Sequence, residues 1–116
     1  MDNKIATLKT EYRDLAIAHG RARGMGNYKS ANTNGNKLIQ TLKELKSFGP
    51  AGELALLSLV EDQDDSVACW AATHSLPFDE KHSLTVLGNL SKKSGAIGFD
   101  AKMVLQQWQK GQLIVP

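Results

Sequence analysis

Residues 51–76, AGELALLSLVEDQDDSVACWAATHSL, predict two helices that are joined by a short acidic turn and packed against each other. In the first helix, apolar residues recur every three or four positions, which gives a wide hydrophobic face. Asp64, Asp65 and Ser66 are residue types that cap helix N-termini, and an alanine-rich run follows them. Pro77 ends the second helix, because proline lacks an amide hydrogen and disfavours helical geometry in the preceding residue.

Helical periodicity also covers the rest of the chain. The spacing of apolar residues predicts helices over residues 4–19, 27–48, 80–90 and 96–110. Gly20 is predicted to end the first of these and to begin a mobile connection over residues 20–27. The second contains poor helix formers, so it either continues unbroken or breaks near Gly35, and we favour one long helix. The apolar tail, residues 113–115, is expected to dock on the body.

An internal repeat with a spacing of 30 residues relates the two helices that follow the leucine-rich segments. Val67 corresponds to Ile97, and Ala71 corresponds to Ala101. A helix with a leucine stripe precedes each member of the repeat, which is the pattern of stacked helical hairpins. The sequence therefore predicts a single all-α domain over residues 1–116, with about six helices.

Composition and charge restrict the class of protein. The 116 residues are 41% hydrophobic and 22% charged, as in ordinary globular domains. Residues 1–50 contain nine Lys or Arg against four Asp or Glu, and residues 51–116 contain five against eight. The single cysteine, Cys69, is predicted to be a small buried thiol in a reducing compartment. No segment resembles a signal peptide or a membrane span, so we expect a cytoplasmic protein without a membrane partner.

No motif predicts catalysis, metal binding or a cofactor. The histidines His19, His74 and His82 are scattered, and none has a second ligand at metal-binding spacing. The glycine-rich segment 20–27 lacks the phosphate-binding pattern and does not follow a strand. Both tryptophans are predicted to lie in the core. We therefore expect a protein that is not an enzyme and holds no metal or cofactor.

The pattern Asp-x-Val-x-x-x-Ala-Ala, from Asp65 to Ala72, resembles the second helix of a HEAT repeat. It departs from the repeat at Ala68, where an arginine often follows the valine, and the second copy has Lys102 in place of the paired alanine. With the helices around it and the ending GQLIVP, residues 5–116 resemble a small bacterial family of HEAT-like helical domains of unknown function. Such domains occur among the immunity proteins of bacterial toxin systems. The resemblance implies HEAT-like stacked hairpins and no catalytic residues.

Three functional hypotheses follow. The first is a cytoplasmic immunity protein that binds and blocks a cognate toxin, and the alternative is a helical scaffold or regulatory interaction protein without a toxin partner. The predicted partner-binding residues form the acidic turn: Glu61, Asp62, Asp64 and Asp65. The same aspartates are also predicted to cap a helix. A third hypothesis, nucleic-acid binding, is disfavoured by the small excess of positive charge. Its candidate residues are Arg21, Arg23, Lys29 and Lys37.

Overall fold

Six α-helices form most of the computed structural model, which describes the backbone of residues 2–116 and the side chains from Lys4 onward. In chain order they are α1 (Asp2–Gly24), α2 (Tyr28–Lys46), α3 (Pro50–Leu57), α4 (Asp65–Ser75), α5 (Glu80–Leu90) and α6 (Gly95–Gln109). Consecutive helices pack against each other, and residues 2–116 contain no β-strand. The predicted all-α fold of helical hairpins is confirmed.

Helix α4 occupies the centre of the molecule, in contact with α1, α3, α5 and α6. Its residues Val67, Ala71 and Ala72 are fully buried, and their small side chains let neighbouring helices approach closely. The repeat partner Ala101 of α6 is fully buried as well. Larger side chains from the surrounding helices complete the core: Tyr12, Leu38, Leu42, Leu45, Leu56, Leu76 and Leu87.

Helix α1 continues four residues beyond Gly20, so the prediction that this glycine ends the helix is wrong. Gly20 lies where α1 crosses the start of α4, and a Cβ atom there would be 2.0 Å from Ser66 Oγ. The helix ends at Gly24, and Gly26 turns the chain with a positive φ of 71°. Packing against α4, rather than helix termination, accounts for the glycine at position 20.

Helix α2 runs unbroken through the polar segment 32–36, as the long-helix interpretation predicts. Gly35 faces the aromatic side chains of His19 and Trp70. A Cβ atom at this position would lie 3.7 Å from His19 Cδ2 and 3.9 Å from the Trp70 ring, which is ordinary van der Waals contact. The inner position of Gly35 therefore has room for a methyl group.

The predicted helix starts and the predicted tail are confirmed in part. Asp64 caps α4, because its Oδ1 accepts hydrogen bonds from the backbone N–H groups of Ser66 (2.9 Å) and Val67 (3.1 Å). Asp79 precedes α5 as predicted, but it makes no capping bond and its Oδ2 lies 3.2 Å from His82 Nδ1. In the tail, Leu113 packs against the core, whereas Ile114 is 90% exposed.

A buried polar pair lies in the core between α1 and α4. Tyr12 Oη and His74 Nδ1 share a hydrogen bond of 2.8 Å, and both side chains are almost completely buried. Burial lowers the pKa of His74 to about 3, and it raises the pKa of Tyr12 well above its usual value. Both groups are therefore neutral at physiological pH. Neutrality is what the pair requires, since neither ring has a charged partner.

The buried histidine predicts a loss of stability in mild acid. Unfolding restores the pKa of His74 from about 3 to about 6.5, so the unfolded chain takes up the proton first. The free energy of unfolding should be unaffected by His74 above about pH 6.5 and fall by up to about 1.4 kcal/mol per pH unit below it. Urea titrations at several pH values between 7.5 and 5 give the free energy of unfolding as a function of pH. This free energy should fall less steeply with decreasing pH for His74→Gln than for the parent protein. Identical slopes for the two proteins would contradict the assignment.

Two glycine substitutions should change stability in opposite directions. A Cβ atom at Gly52 would lie 1.8 Å from the backbone oxygen of Leu45, so Gly52→Ala must push α3 away from α2. We expect it to lower the free energy of unfolding by about 1–3 kcal/mol. Gly35→Ala should raise it by up to about 1 kcal/mol, because alanine favours the helix and fits the available space. Denaturant unfolding measures both changes in the free energy of unfolding. Changes of the same sign for the two variants would contradict this interpretation.

Candidate protein-binding cleft

The acidic turn is held in place by bonds within the molecule. The guanidinium of Arg13 binds Asp62 as a fork, with Nε 2.9 Å from Oδ1 and Nη2 3.2 Å from Oδ2. Asp62 Oδ2 also accepts the backbone N–H of Asp64 at 2.9 Å. The hydrogen bonds from Arg13 hold the pKa of Asp62 below its usual range. Asp62 therefore links α1 to the turn between α3 and α4.

The other three predicted partner-binding residues differ in how accessible their carboxylates are. Asp64 is the cap of α4, and Asp65 accepts a hydrogen bond of 2.8 Å from Lys93 Nζ. The side chain of Glu61 is 78% exposed, with its Oε2 3.4 Å from His82 Nε2. Contact between these residues and a partner stays a prediction, and Glu61 is the member of the set with the most accessible carboxylate.

A cleft of about 570 Å³ opens between α1, α2, α4 and α6. Its volume falls in the range of about 300–1,000 Å³ that is typical of ligand-binding clefts. One face of α6 forms a wall, since residues 96, 97, 100, 103 and 104 follow the helical period. Most other lining residues are small or apolar, among them Ala31, Cys69 and Trp70.

Trp70 and His19 form the aromatic side of the cleft. The indole Nε1–H of Trp70 donates to His19 Nδ1 at 3.3 Å, and the two rings meet edge to face with centroids 5.0 Å apart. Burial and the nearby Arg23 lower the pKa of His19, which keeps Nδ1 free to accept the bond. The sequence predicts a core position for Trp70, and the structure shows a partly buried ring that also lines the cleft.

Arg23 and Cys69 line the cleft, and the buried Nε of Arg23 has no hydrogen-bond partner among the described residues. Arg23 Nη2 donates to Asp100 Oδ1 at 2.5 Å, which ties the end of α1 to α6. Cys69 is buried as predicted, and burial raises the pKa of its thiol to about 12. The thiolate that a nucleophile requires is therefore strongly disfavoured. The cleft is suited to binding through shape and apolar contact.

Large apolar side chains are exposed around the cleft. Tyr28 and Met103, which line it, are 62% and 38% exposed. Met25, next to the lining residue Gly24, is 77% exposed, and Phe99, one helical turn before Met103, is 61% exposed. We call Met25, Tyr28, Phe99 and Met103 the apolar rim. Tyr, Phe and Met are enriched in protein–protein interfaces, and exposed apolar patches mark interaction sites.

Among the described residues, the histidines, the cysteine and the carboxylates are not grouped as a metal site, and two of the cations considered for nucleic-acid binding lie in different grooves. No group of three or more His, Cys, Asp or Glu in the described chain could hold a metal ion. Of the four cations considered for nucleic acid, Arg23 is paired with Asp100, and Lys37 lines a separate groove between α1 and α2. No helix within residues 2–116 has the length and apolar character needed to span a bilayer.

Comparison with known proteins gave no match: no family model, curated protein or solved structure corresponds to this chain. The resemblance to HEAT-like domains of toxin-immunity systems therefore stays a prediction from the sequence.

Substitutions in the acidic turn should distinguish a carboxylate that stabilises the fold from one that is exposed to solvent. Asp62→Asn weakens the fork with Arg13, so we expect it to lower the free energy of unfolding by about 1 kcal/mol. Glu61→Gln, a matched change at the neighbouring position, should alter it by less than about 0.5 kcal/mol. Urea unfolding at neutral pH measures both. Equal effects of the two substitutions would show that the fork does not stabilise the turn.

Proposed function

We propose that this protein is a non-catalytic binding module that engages a protein partner through the cleft and its apolar rim. The observation that supports the proposal best is the exposure of two large apolar side chains, Tyr28 and Met103, that line one concave and mainly apolar site. Isolated exposed apolar residues are normal on a protein surface, but a group around a cleft is typical of an interaction site.

The fold favours tight association at such a surface. Every wall of the cleft belongs to a helix that packs on the core, so a partner does not need to order the backbone there. A preformed surface reduces the entropy lost on binding, and aromatic anchors such as Tyr28 have few rotatable bonds to fix. Binding energy in interfaces of this kind concentrates in a few central side chains. The rim residues Tyr28 and Met103 are the candidates here.

We propose more specifically that the partner is a bacterial toxin domain, which the protein neutralises in the cytoplasm by covering its active surface. The sequence resemblance supports this step. The cleft is the surface of this protein that would contact and cover the toxin. The alternative is a scaffold or regulatory protein that uses the same cleft for a partner without toxic activity. Neutralisation of a toxin distinguishes the two, because a scaffold would not protect cells.

Co-expression with a toxin domain, if a neighbouring gene encodes one, tests the proposal. The parent protein should restore growth of the host, and Tyr28→Asp with Met103→Asp should abolish protection. Loss of two central anchors is expected to cost at least about 2 kcal/mol, or about thirtyfold in Kd. Calorimetry or interferometry with an inactive toxin variant measures the affinity directly.

Leu54→Asp is the matched control, because Leu54 is 66% exposed on α3 and does not line the cleft. It should protect as well as the parent, with all variants first shown to be folded by circular dichroism. If Leu54→Asp or Glu61→Lys abolished protection and the rim variants did not, the interface would lie outside the cleft. A complex that forms without protecting cells would favour the scaffold.

A further inference from the structure

We propose that the cleft is also a binding site for a small uncharged molecule that has an apolar body and an amide-type polar edge, and that this edge pairs with His19, Arg23 and Asp100. The inference goes beyond the proposed function, since it concerns a ligand of the free protein that would compete with the partner for the cleft. Three features of the lining residues carry it: a cluster of polar groups with unused hydrogen bonds, the zero net charge of that cluster, and the apolar surface beside it.

The polar cluster consists of His19, Arg23 and Asp100, which all line the cleft. His19 and Arg23 are four residues apart in α1, so they lie on the same face of that helix. Arg23 Nη2 donates to Asp100 Oδ1, which comes from α6, at 2.5 Å. Burial and the nearby Arg23 lower the pKa of His19, and the nearby Asp100 acts in the opposite direction. The three side chains therefore meet in one part of the cleft.

His19 has a hydrogen-bond donor that no described group uses. The indole N–H of Trp70 can only donate, so the nitrogen that accepts it at 3.3 Å, His19 Nδ1, carries no hydrogen. In the neutral imidazole the hydrogen is therefore on Nε2. This Nε2–H forms no hydrogen bond within the described chain. A residue that lines the cleft thus has a free N–H for an acceptor on a ligand.

Arg23 and Asp100 also have unused hydrogen-bonding capacity. The bond between them uses Nη2 and Oδ1, and the buried Nε of Arg23 has no partner among the described residues. The other arginine–aspartate pair of the molecule is more complete, because Arg13 binds Asp62 through both Nε and Nη2. The pair in the cleft is therefore incompletely satisfied, and it keeps guanidinium donors and a carboxylate acceptor available.

The cluster has no net charge. Asp100 balances the charge of Arg23, and His19 is neutral at physiological pH because its pKa is lowered. A charged head group of either sign would meet one attractive and one repulsive neighbour, and it would lose its own hydration. An amide has no charge, and its carbonyl and N–H match the N–H donors and the carboxylate of the cluster. An amide-type edge, as in a carboxamide, a lactam or a nitrogen heterocycle, therefore fits best.

The rest of the lining is suited to a compact apolar body. Ala31, Ile97 and Val104 have no hydrogen-bonding side chains, and the N–H of Trp70 is used by His19. A cleft of about 570 Å³ with a mainly apolar lining and a few polar groups has the composition that is typical of small-molecule sites. Because Trp70 and Tyr28 also line the cleft, an aromatic ring is a favourable body for the ligand.

Three ligands that share a naphthalene ring test the assignment on the full-length protein. They carry a carboxamide, a carboxylate or a methylammonium group at the same ring position, so that only the head group differs. NMR titration of the isotope-labelled protein follows the indole N–H of Trp70. Trp108, whose N–H binds Glu80 and which does not line the cleft, is the internal control and should shift less. The carboxamide should bind with a Kd of about 1 mM or tighter, and at least about fivefold more tightly than either charged analogue.

Charge changes within the cluster should redirect this selectivity. Asp100→Asn leaves Arg23 unbalanced, so the carboxylate should become the tightest of the three ligands. Arg23→Gln leaves Asp100 unbalanced and should make the methylammonium compound the tightest. The matched controls, Glu61→Gln and Arg21→Gln, make the same changes in net charge at exposed positions outside the lining, and they should leave the order of affinities unchanged. Each comparison is a ratio within one protein, so a modest loss of stability in a variant does not obscure it.

Three outcomes would overturn the small-molecule site: a charged analogue that binds the parent protein as tightly as the carboxamide, no binding of any of the three ligands, or an unchanged order of affinities in Asp100→Asn and Arg23→Gln. The toxin assay separates this failure from failure of the proposed function. If the carboxamide does not bind but Tyr28→Asp with Met103→Asp abolishes protection, the function is sustained and the ligand site is rejected. If the carboxamide binds with the expected selectivity but those variants still protect, the ligand site is sustained and the cleft is rejected as the interface.

Discussion

Ala68, Ala71 and Ala72 allow α4 to lie between other helices at short distance, and the remaining packing depends on this close approach. Helices separate according to the size of the side chains at their contact, so a seam of buried alanines brings their axes near to each other. The same seam fixes the larger side chains of α4. His74 is held in the core beside Tyr12, and Trp70 is held at the edge of the core, where it forms part of the cleft. A larger residue in the seam would displace both the core pair and the wall of the cleft.

Local signals made much of this fold predictable. Capping by Asp64 and the apolar periodicity of each helix act over a few residues, so the sequence displays them directly. The prediction for Gly20 is wrong because a glycine at a helix end and a glycine at a helix crossing have the same local sequence. The Ser66 side chain that requires glycine at position 20 lies on another helix, far along the chain. Asp79 precedes α5 but makes no capping hydrogen bond. Its carboxylate lies beside His82 instead of the backbone N–H groups of the helix N-terminus.

The cleft could not be predicted from the sequence, because it is formed by four helices that are distant along the chain. Tyr28, Trp70 and Met103 become neighbours of one cavity only through the packing of α1, α2, α4 and α6. Each residue taken alone is consistent with a core position in an amphipathic helix. For the acidic turn, the sequence shows the residues but not their partner. A run of carboxylates is conspicuous in the sequence, but its main partner, Arg13, lies 49 residues before Asp62.

Part of the charge asymmetry of the sequence is neutralised by ion pairs within the molecule. Two ion pairs join an arginine of the basic N-terminal half to an aspartate of the acidic C-terminal half, Arg13 with Asp62 and Arg23 with Asp100. A third, between Lys93 and Asp65, joins the segment before α6 to the start of α4. The two arginine pairs join α1 to the acidic turn and to α6, so charges from the two halves of the sequence stabilise contacts between elements that are distant along the chain.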